Sequence, residues 1–170
     1  MRYSLLVLAC LVLPAQTQDP AADPLNQAYR FLEQKQYLEA IDQFLLAVQA
    51  APGRAALRKD LAYAYLKAGE TEFAREVFEQ VLTLEPADHR AALELAFLCH
   101  ETGREARALE LFDQVRRAGD PDSRRTAEEA FARVDAALRQ AVARWQAAVE
   151  QDQANRAARL ELAQNLEKHR

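Results

Sequence analysis

The side chains able to carry chemistry are few in this 170-residue chain, and they are scattered. Beyond residue 15 there is one serine, Ser123, and three histidines, His89, His100 and His169. No two of the histidines, and no histidine with a cysteine, fall at the spacing of a metal-ligand set. Cys99 beside His100 suggests a thiol–imidazole pair, but successive residues of a helix point about 100° apart and do not face each other. A small buried cysteine is the expectation there. Asp120-Pro121-Asp122 places two carboxylates together, yet two acids around a proline more often make an interrupted turn and a helix N-cap than a cation site. No glycine-rich phosphate loop is present. The basic pairs Arg116-Arg117 and Arg124-Arg125 stand in a chain with 22 Lys and Arg against 26 Asp and Glu, a formal charge of −4, which disfavours nucleic acid as a partner. The residue types therefore predict a protein without catalytic centre, metal or cofactor, one that works by binding.

The elements that would position a binding surface announce themselves as a period. Half of the residues are apolar and 28% charged, with four Gly and six Pro, a composition that excludes collagen-like and disordered chains and suits a helical globular domain. Ala40, Ala74 and Ala108 are 34 residues apart, as are Phe44, Phe78 and Phe112; Ala28, Ala62 and Ala96 form a third column, and Ala47, Val81 and Val115 a fourth. Within each unit two apolar-periodic stretches of roughly a dozen residues flank a turn at Lys35-Gln36, Gly69-Glu70 or Gly103-Arg104, the pattern of an antiparallel helix pair. Pro52 and Pro86 close the first two units, because proline cannot donate the next helical bond, and Pro121 closes the third one residue late. No such unit buries its apolar face alone, so the units must stack.

Leu61-Ala62, Tyr65, Gly69, Ala74, Phe78 and Pro86 in the second unit, with Leu95-Ala96, Gly103, Ala108 and Phe112 in the third and Ala28, Phe31, Tyr37, Ala40, Phe44, Ala47 and Pro52 in the first, resemble the tetratricopeptide repeat. The resemblance implies an all-α fold, a right-handed α-solenoid of stacked antiparallel helix hairpins. Its units are expected at about 21–54, 55–88 and 89–121, with a degenerate unit over 122–155 and a single terminal helix over 156–170. In the degenerate unit Ala136 replaces the turn glycine and no proline follows. A short helix over 122–134, a possible N-cap at Asp135 and a second helix carrying Trp145 are expected.

In solenoids of this family the first helix of each hairpin lines a groove that takes a peptide or a partner helix. The resemblance thereby points to Leu25, Tyr29, Leu32 and Glu33, to Lys59, Tyr63, Leu66 and Lys67, and to Leu93, Phe97, His100 and Glu101. Tyr29, Tyr63 and Phe97 are 34 apart and form an aromatic column. Aromatic rings give large, rigid contact area at small entropic cost, which suits binding anchors; they also suit a core, and both placements stay open here. The family's clamp for acidic C-terminal tails uses several Lys, Asn and Arg on this face, where only Lys59 and Lys67 are basic, so a carboxylate-terminated ligand is not favoured.

Met1-Arg2-Tyr3 followed by nine apolar residues from Leu5 to Leu13 and then Pro14-Ala15 reads as a signal peptide over 1–15, with a linker over 16–23 before the solenoid at 24–170. At about 1.5 Å per residue that run is far too short to span a bilayer. Val7-Leu8-Ala9-Cys10 is a weaker lipidation signal through Cys10. The expectation is thus an exported, periplasmic or secreted scaffold that holds a protein or peptide partner. The alternative is a structural subunit, or the front of a larger repeat assembly, whose groove its own neighbour fills.

Overall fold

The computed structural model describes residues 19–169, so the leader, Cys10 and the first linker residues lie outside the described part. Eight α-helices and no strands are present among the described residues: α1 (Ala22–Glu33), α2 (Tyr37–Ala50), α3 (Ala55–Ala68), α4 (Thr71–Leu84), α5 (His89–Glu101), α6 (Glu105–Ala118), α7 (Pro121–Gln151) and α8 (Arg156–Lys168). Helix α1 starts at Ala22, two residues inside the stretch expected as linker. Each helix packs on the next in the chain, and α5 also touches α7, so the hairpins α1–α2, α3–α4 and α5–α6 stack in sequence order. This is an α-solenoid.

The three hairpins close in one way. Lys35, Gly69 and Gly103, again 34 apart, adopt positive φ of 60°, 83° and 73°. The next residue's N–H reaches back five positions in every case: Gln36 to the Phe31 carbonyl at 2.9 Å, Glu70 to Tyr65 at 2.9 Å and Arg104 to Cys99 at 2.7 Å. A left-handed residue with this bond is how a helix C-terminus satisfies its last carbonyls and reverses, and glycine enters that region without a Cβ penalty. The junctions before α5 and α7 carry N-caps, Asp88 accepting from the Ala91 N–H at 3.0 Å and Asp120 from those of Asp122 and Ser123 at 3.2 and 3.1 Å, whereas Arg54 before α3 makes no side-chain cap bond. The Asp120-Pro121-Asp122 segment is thus the start of α7, with Pro121 in the first turn.

The core runs along the stack. Phe44, Phe78 and Phe112 are fully buried, with the alanine columns at 28, 62 and 96 and at 40, 74 and 108 equally closed. Alanine at a contact lets two helix axes approach, and each phenylalanine then fills the space between neighbouring hairpins. Cys99 is buried in the same core, where desolvation raises its thiol pKa, so it is no activated nucleophile.

The main departure from the sequence expectation lies at the C-terminal end. Residues 121–151 form one uninterrupted helix of 31 residues in place of two helices broken at Asp135. Asp135-Ala136-Ala137 holds neither Gly nor Pro, and alanine is the strongest helix former, so nothing stops propagation once the turn glycine is lost. Asp135 caps nothing; its carboxylate takes the Arg139 guanidinium one turn on and the His169 imidazole at 2.8 Å. Helix α7 consequently outruns the solenoid, and α8 folds back along it as an arm. From 139 to 169 Ala158 is the one buried residue, although the stretch contains Val142, Trp145, Val149, Leu160, Leu162 and Leu166.

Candidate binding face on the first helices

The aromatic column is tied down at both ends. Each ring stands edge-on to the core phenylalanine of its own hairpin: Tyr29 to Phe44 with centroids 5.6 Å apart, Tyr63 to Phe78 at 5.4 Å and Phe97 to Phe112 at 5.0 Å. Such T-shaped pairs set the positive ring edge against the negative face of the other ring. The far ends reach the next hairpin. The Tyr29 hydroxyl donates to Asp60 at 2.7 Å and the Tyr63 hydroxyl to Glu94 at 3.3 Å. Both tyrosines nevertheless remain 43% exposed, while Phe97 is half-buried. The two placements of these rings are therefore not exclusive: the inner edge belongs to the core and the outer face to the surface.

The acceptors form a second column, which apolar periodicity does not display. Asp60, Glu94 and Glu128 are themselves 34 apart, one hairpin ahead of each aromatic ring. At the third rung Phe97 has no hydroxyl to offer, and Glu128 instead faces Arg116 at 3.4 Å. Desolvation, followed by the Asp60 bond, pushes the Tyr29 phenol up to about 12, and the same causes, burial first and Glu94 second, raise Tyr63. Both phenols stay neutral donors at any physiological pH.

Lys59 is not a free cation. Its ammonium lies 2.7 Å from Asp88 and 3.4 Å from Glu85, so it braces the start of α5 against α3. Burial works against ionisation of Asp88, but the Lys59 bond and the capped backbone N–H of Ala91 outweigh it and hold the carboxyl below its ordinary range. Lys67, His100 and Glu101 are exposed at the C-terminal ends of α3 and α5. Leu32 and Leu66 are half-buried and pack against the core, as do Leu25 and Leu93.

Two cavities open on either side of Tyr63. One, about 290 Å³, is lined by Leu32, Glu33, Lys35, Tyr37, Tyr63 and Lys67. The other, about 370 Å³, takes Arg90, Leu93 and Glu94 from α5 and Asp120, Asp122, Ser123 and Thr126 around the start of α7. Of these wall residues, Lys35, Tyr37, Arg90, Glu94, Asp120, Asp122, Ser123 and Thr126 are not among those the sequence points to, because residues of separate hairpins join one wall only through stacking. A third cavity, about 470 Å³, lies where the end of α8 meets α4 and α6 and is walled by Arg75, Arg104, Arg107 and Lys168 with Glu79, Glu105 and Glu167. Its charges already pair, Arg107 with Glu79 at 3.0 Å and Lys168 with Glu105 at 3.5 Å. No cluster of three or more potential metal ligands exists among the described residues, and no described helix is long and apolar enough to cross a membrane.

Comparison with known proteins gives the same architecture. Residues 59–123 match the tetratricopeptide repeat family model. No curated protein sequence matches the chain. Among solved structures, the TPR domain of Sgt2 from Aspergillus fumigatus is 21% identical with a TM-score of 0.58, covering 70% of this chain and 82% of that one. The P58(IPK) TPR domain is 21% identical with a TM-score of 0.65 over 86% of this chain, which spans 41% of that longer chain. The first TPR of Spaghetti (RPAP3), solved bound to the HSP90 peptide SRMEEVD, is 18% identical with a TM-score of 0.59 over 70% of this chain and 93% of that one. In sequence over residues 59–123, and in fold over most of its described length, this chain is similar to tetratricopeptide repeat proteins.

Proposed function

We propose that this chain is a non-catalytic protein-interaction scaffold that holds a peptide segment or helix against the face of its first helices, and that it works in the cell envelope after export through its N-terminal leader. The observation that carries the proposal is the pair of tyrosines at positions 29 and 63, each 43% exposed yet fixed by an aromatic contact below and a carboxylate beside it. A ring already ordered in the free protein loses little entropy on binding, which is what makes an anchor effective. A similar fold holds a peptide in the RPAP3 domain. An acidic tail of that kind is not proposed as the partner, because Lys59 is spent on Asp88 and Glu85.

The test is capture from envelope extract with wild-type protein and Tyr63→Ala as parallel baits, circular dichroism first establishing equal helix content. A partner retained by the wild type and lost at least tenfold by the variant supports the groove. Equal retention by both removes it. The leader is tested by the N-terminal sequence of the mature protein, expected to begin at Gln16, with the protein recovered outside the cytoplasm.

A second reading, a subunit of a larger envelope assembly, is favoured by the α7–α8 arm. Leu160 and Leu166 are 58% and 42% exposed there, and a two-helix arm closes no core of its own. A stable monomer at all concentrations would count against it.

A further inference from the structure

The two cavities beside Tyr63 carry opposite charge. The first has an apolar floor of Leu32, Tyr37 and Tyr63 under two ammonium groups, Lys35 and Lys67, with Glu33 as its one carboxylate. Unlike Lys59, neither ammonium is ion-paired among the described residues. The second sets three carboxylates, Glu94, Asp120 and Asp122, against the single guanidinium of Arg90. Glu94 spends one oxygen on the Tyr63 hydroxyl and Asp120 caps α7, and neither contact neutralises the charge. Asp122, whose side chain is 89% exposed, meets Arg125 at 3.3 Å, a contact that water screens. The face is therefore polarised along its length, positive towards the turn of the first hairpin and negative towards the start of α7.

Resting on the groove reading above, we infer that the occupant is an unmodified protein segment of matching polarity: an apolar side chain with an adjacent Asp or Glu for the Lys35–Lys67 cavity, and a Lys or Arg for the Glu94–Asp120–Asp122 cavity. Its spacing follows from the elements. Helices α3 and α7 are two first-helix steps apart at roughly 8–10 Å each, and Lys67 and Asp122 lie at opposite ends of their helices, about 17 Å along the axis. That far pair is about 25 Å apart, but Glu94 meets the Tyr63 hydroxyl one helical turn from Lys67, about 10 Å away, so acid and base are separated by about three to eight residues of extended chain. Complementary charge at the two ends fixes the direction in which the segment lies and rejects the reversed one, since like charges then meet at both cavities. The segment needs no free C-terminus.

The experiment is a selection of displayed random 16-residue peptides on the full chain, repeated on Lys67→Glu and on Tyr63→Ala. Wild-type protein is expected to enrich peptides with an acid beside an apolar residue and, on one fixed side of it, a base about three to eight positions away. On Lys67→Glu the acid preference is expected to vanish, and synthetic copies of the wild-type winners should bind that variant at least tenfold more weakly. Winners that depend on Tyr63 but show no charge order would overturn the polarity and leave the groove standing. Winners indifferent to Tyr63→Ala would overturn both, and a selection that enriches nothing would overturn the peptide chemistry proposed here.

Discussion

At the scale of single residues, each ring of the column serves fold and surface together. Tyr29 illustrates it. Its phenol is pushed up to about 12 by desolvation and then by Asp60, against an ordinary value of 10.0, so the neutral form is favoured by folding. The stability this contributes is whole below pH 10 and is lost as pH rises towards 12. Tyr29→Phe should remove that loss, eliminate the last tyrosine step in an alkaline absorbance titration, and cost about 0.5–1 kcal/mol at neutral pH, the worth of one partly exposed hydrogen bond. Phe78 belongs wholly to the core. Its replacement by Ala should cost about 3–5 kcal/mol in denaturant unfolding, a large fraction of the ~5–15 available to a domain. The sequence already displays the 34-residue columns to which both residues belong. It does not display that Lys59 is neutralised, because Asp88 becomes its partner only when one hairpin lies on the next.

At the scale of elements, one column decides where helices stop. Lys35 occupies the left-handed turn that Gly69 and Gly103 fill in the later hairpins, at a φ of 60°. Counting 34 on from Gly103, Ala137 rather than Ala136 falls where a turn glycine would stand in the fourth unit, yet it lies inside α7. The same mutation should therefore act with opposite sign: Lys35→Gly is expected to raise stability by up to about 1 kcal/mol by removing Cβ strain, and Ala137→Gly to lower it by about 1 kcal/mol. Chemical unfolding of the two variants checks both, and stabilisation by Ala137→Gly would mean that α7 is broken there. The first six helices are legible from apolar periodicity and turn residues alone. The length of α7 is not, because the sequence marks that boundary only by what is missing, and an Ala-rich helix without a stop signal runs on.

At the scale of the whole molecule, burial is unevenly spread, and so stability must be. Helices α3 to α6 are flanked on both sides and hold Phe78, Val81, Leu95, Leu111 and Phe112 fully buried. The arm has Ala158 as its one buried residue beyond Leu138, and its base is held by the His169–Asp135 and Lys168–Glu105 contacts. In a stacked array local opening follows local contact, so amide exchange should be slowest in α3–α6 and faster by orders of magnitude over 140–168. Uniform protection would mean that the arm is covered, as in an assembly. Charge is uneven too, and its polarity along the first helices is what directs a bound segment.

The proposed site for a partner is the face of the first helices, at Tyr63. The most direct test is the change in amide exchange of the full chain on adding a captured partner or a selected peptide at saturation. Slowed exchange is expected in α1, α3 and α5 around Tyr29, Tyr63 and Phe97, with α2, α4 and α6 little altered and the effect absent in Tyr63→Ala. Protection confined to α2, α4 and α6, or to the α7–α8 arm, would contradict it and move the site elsewhere on the molecule.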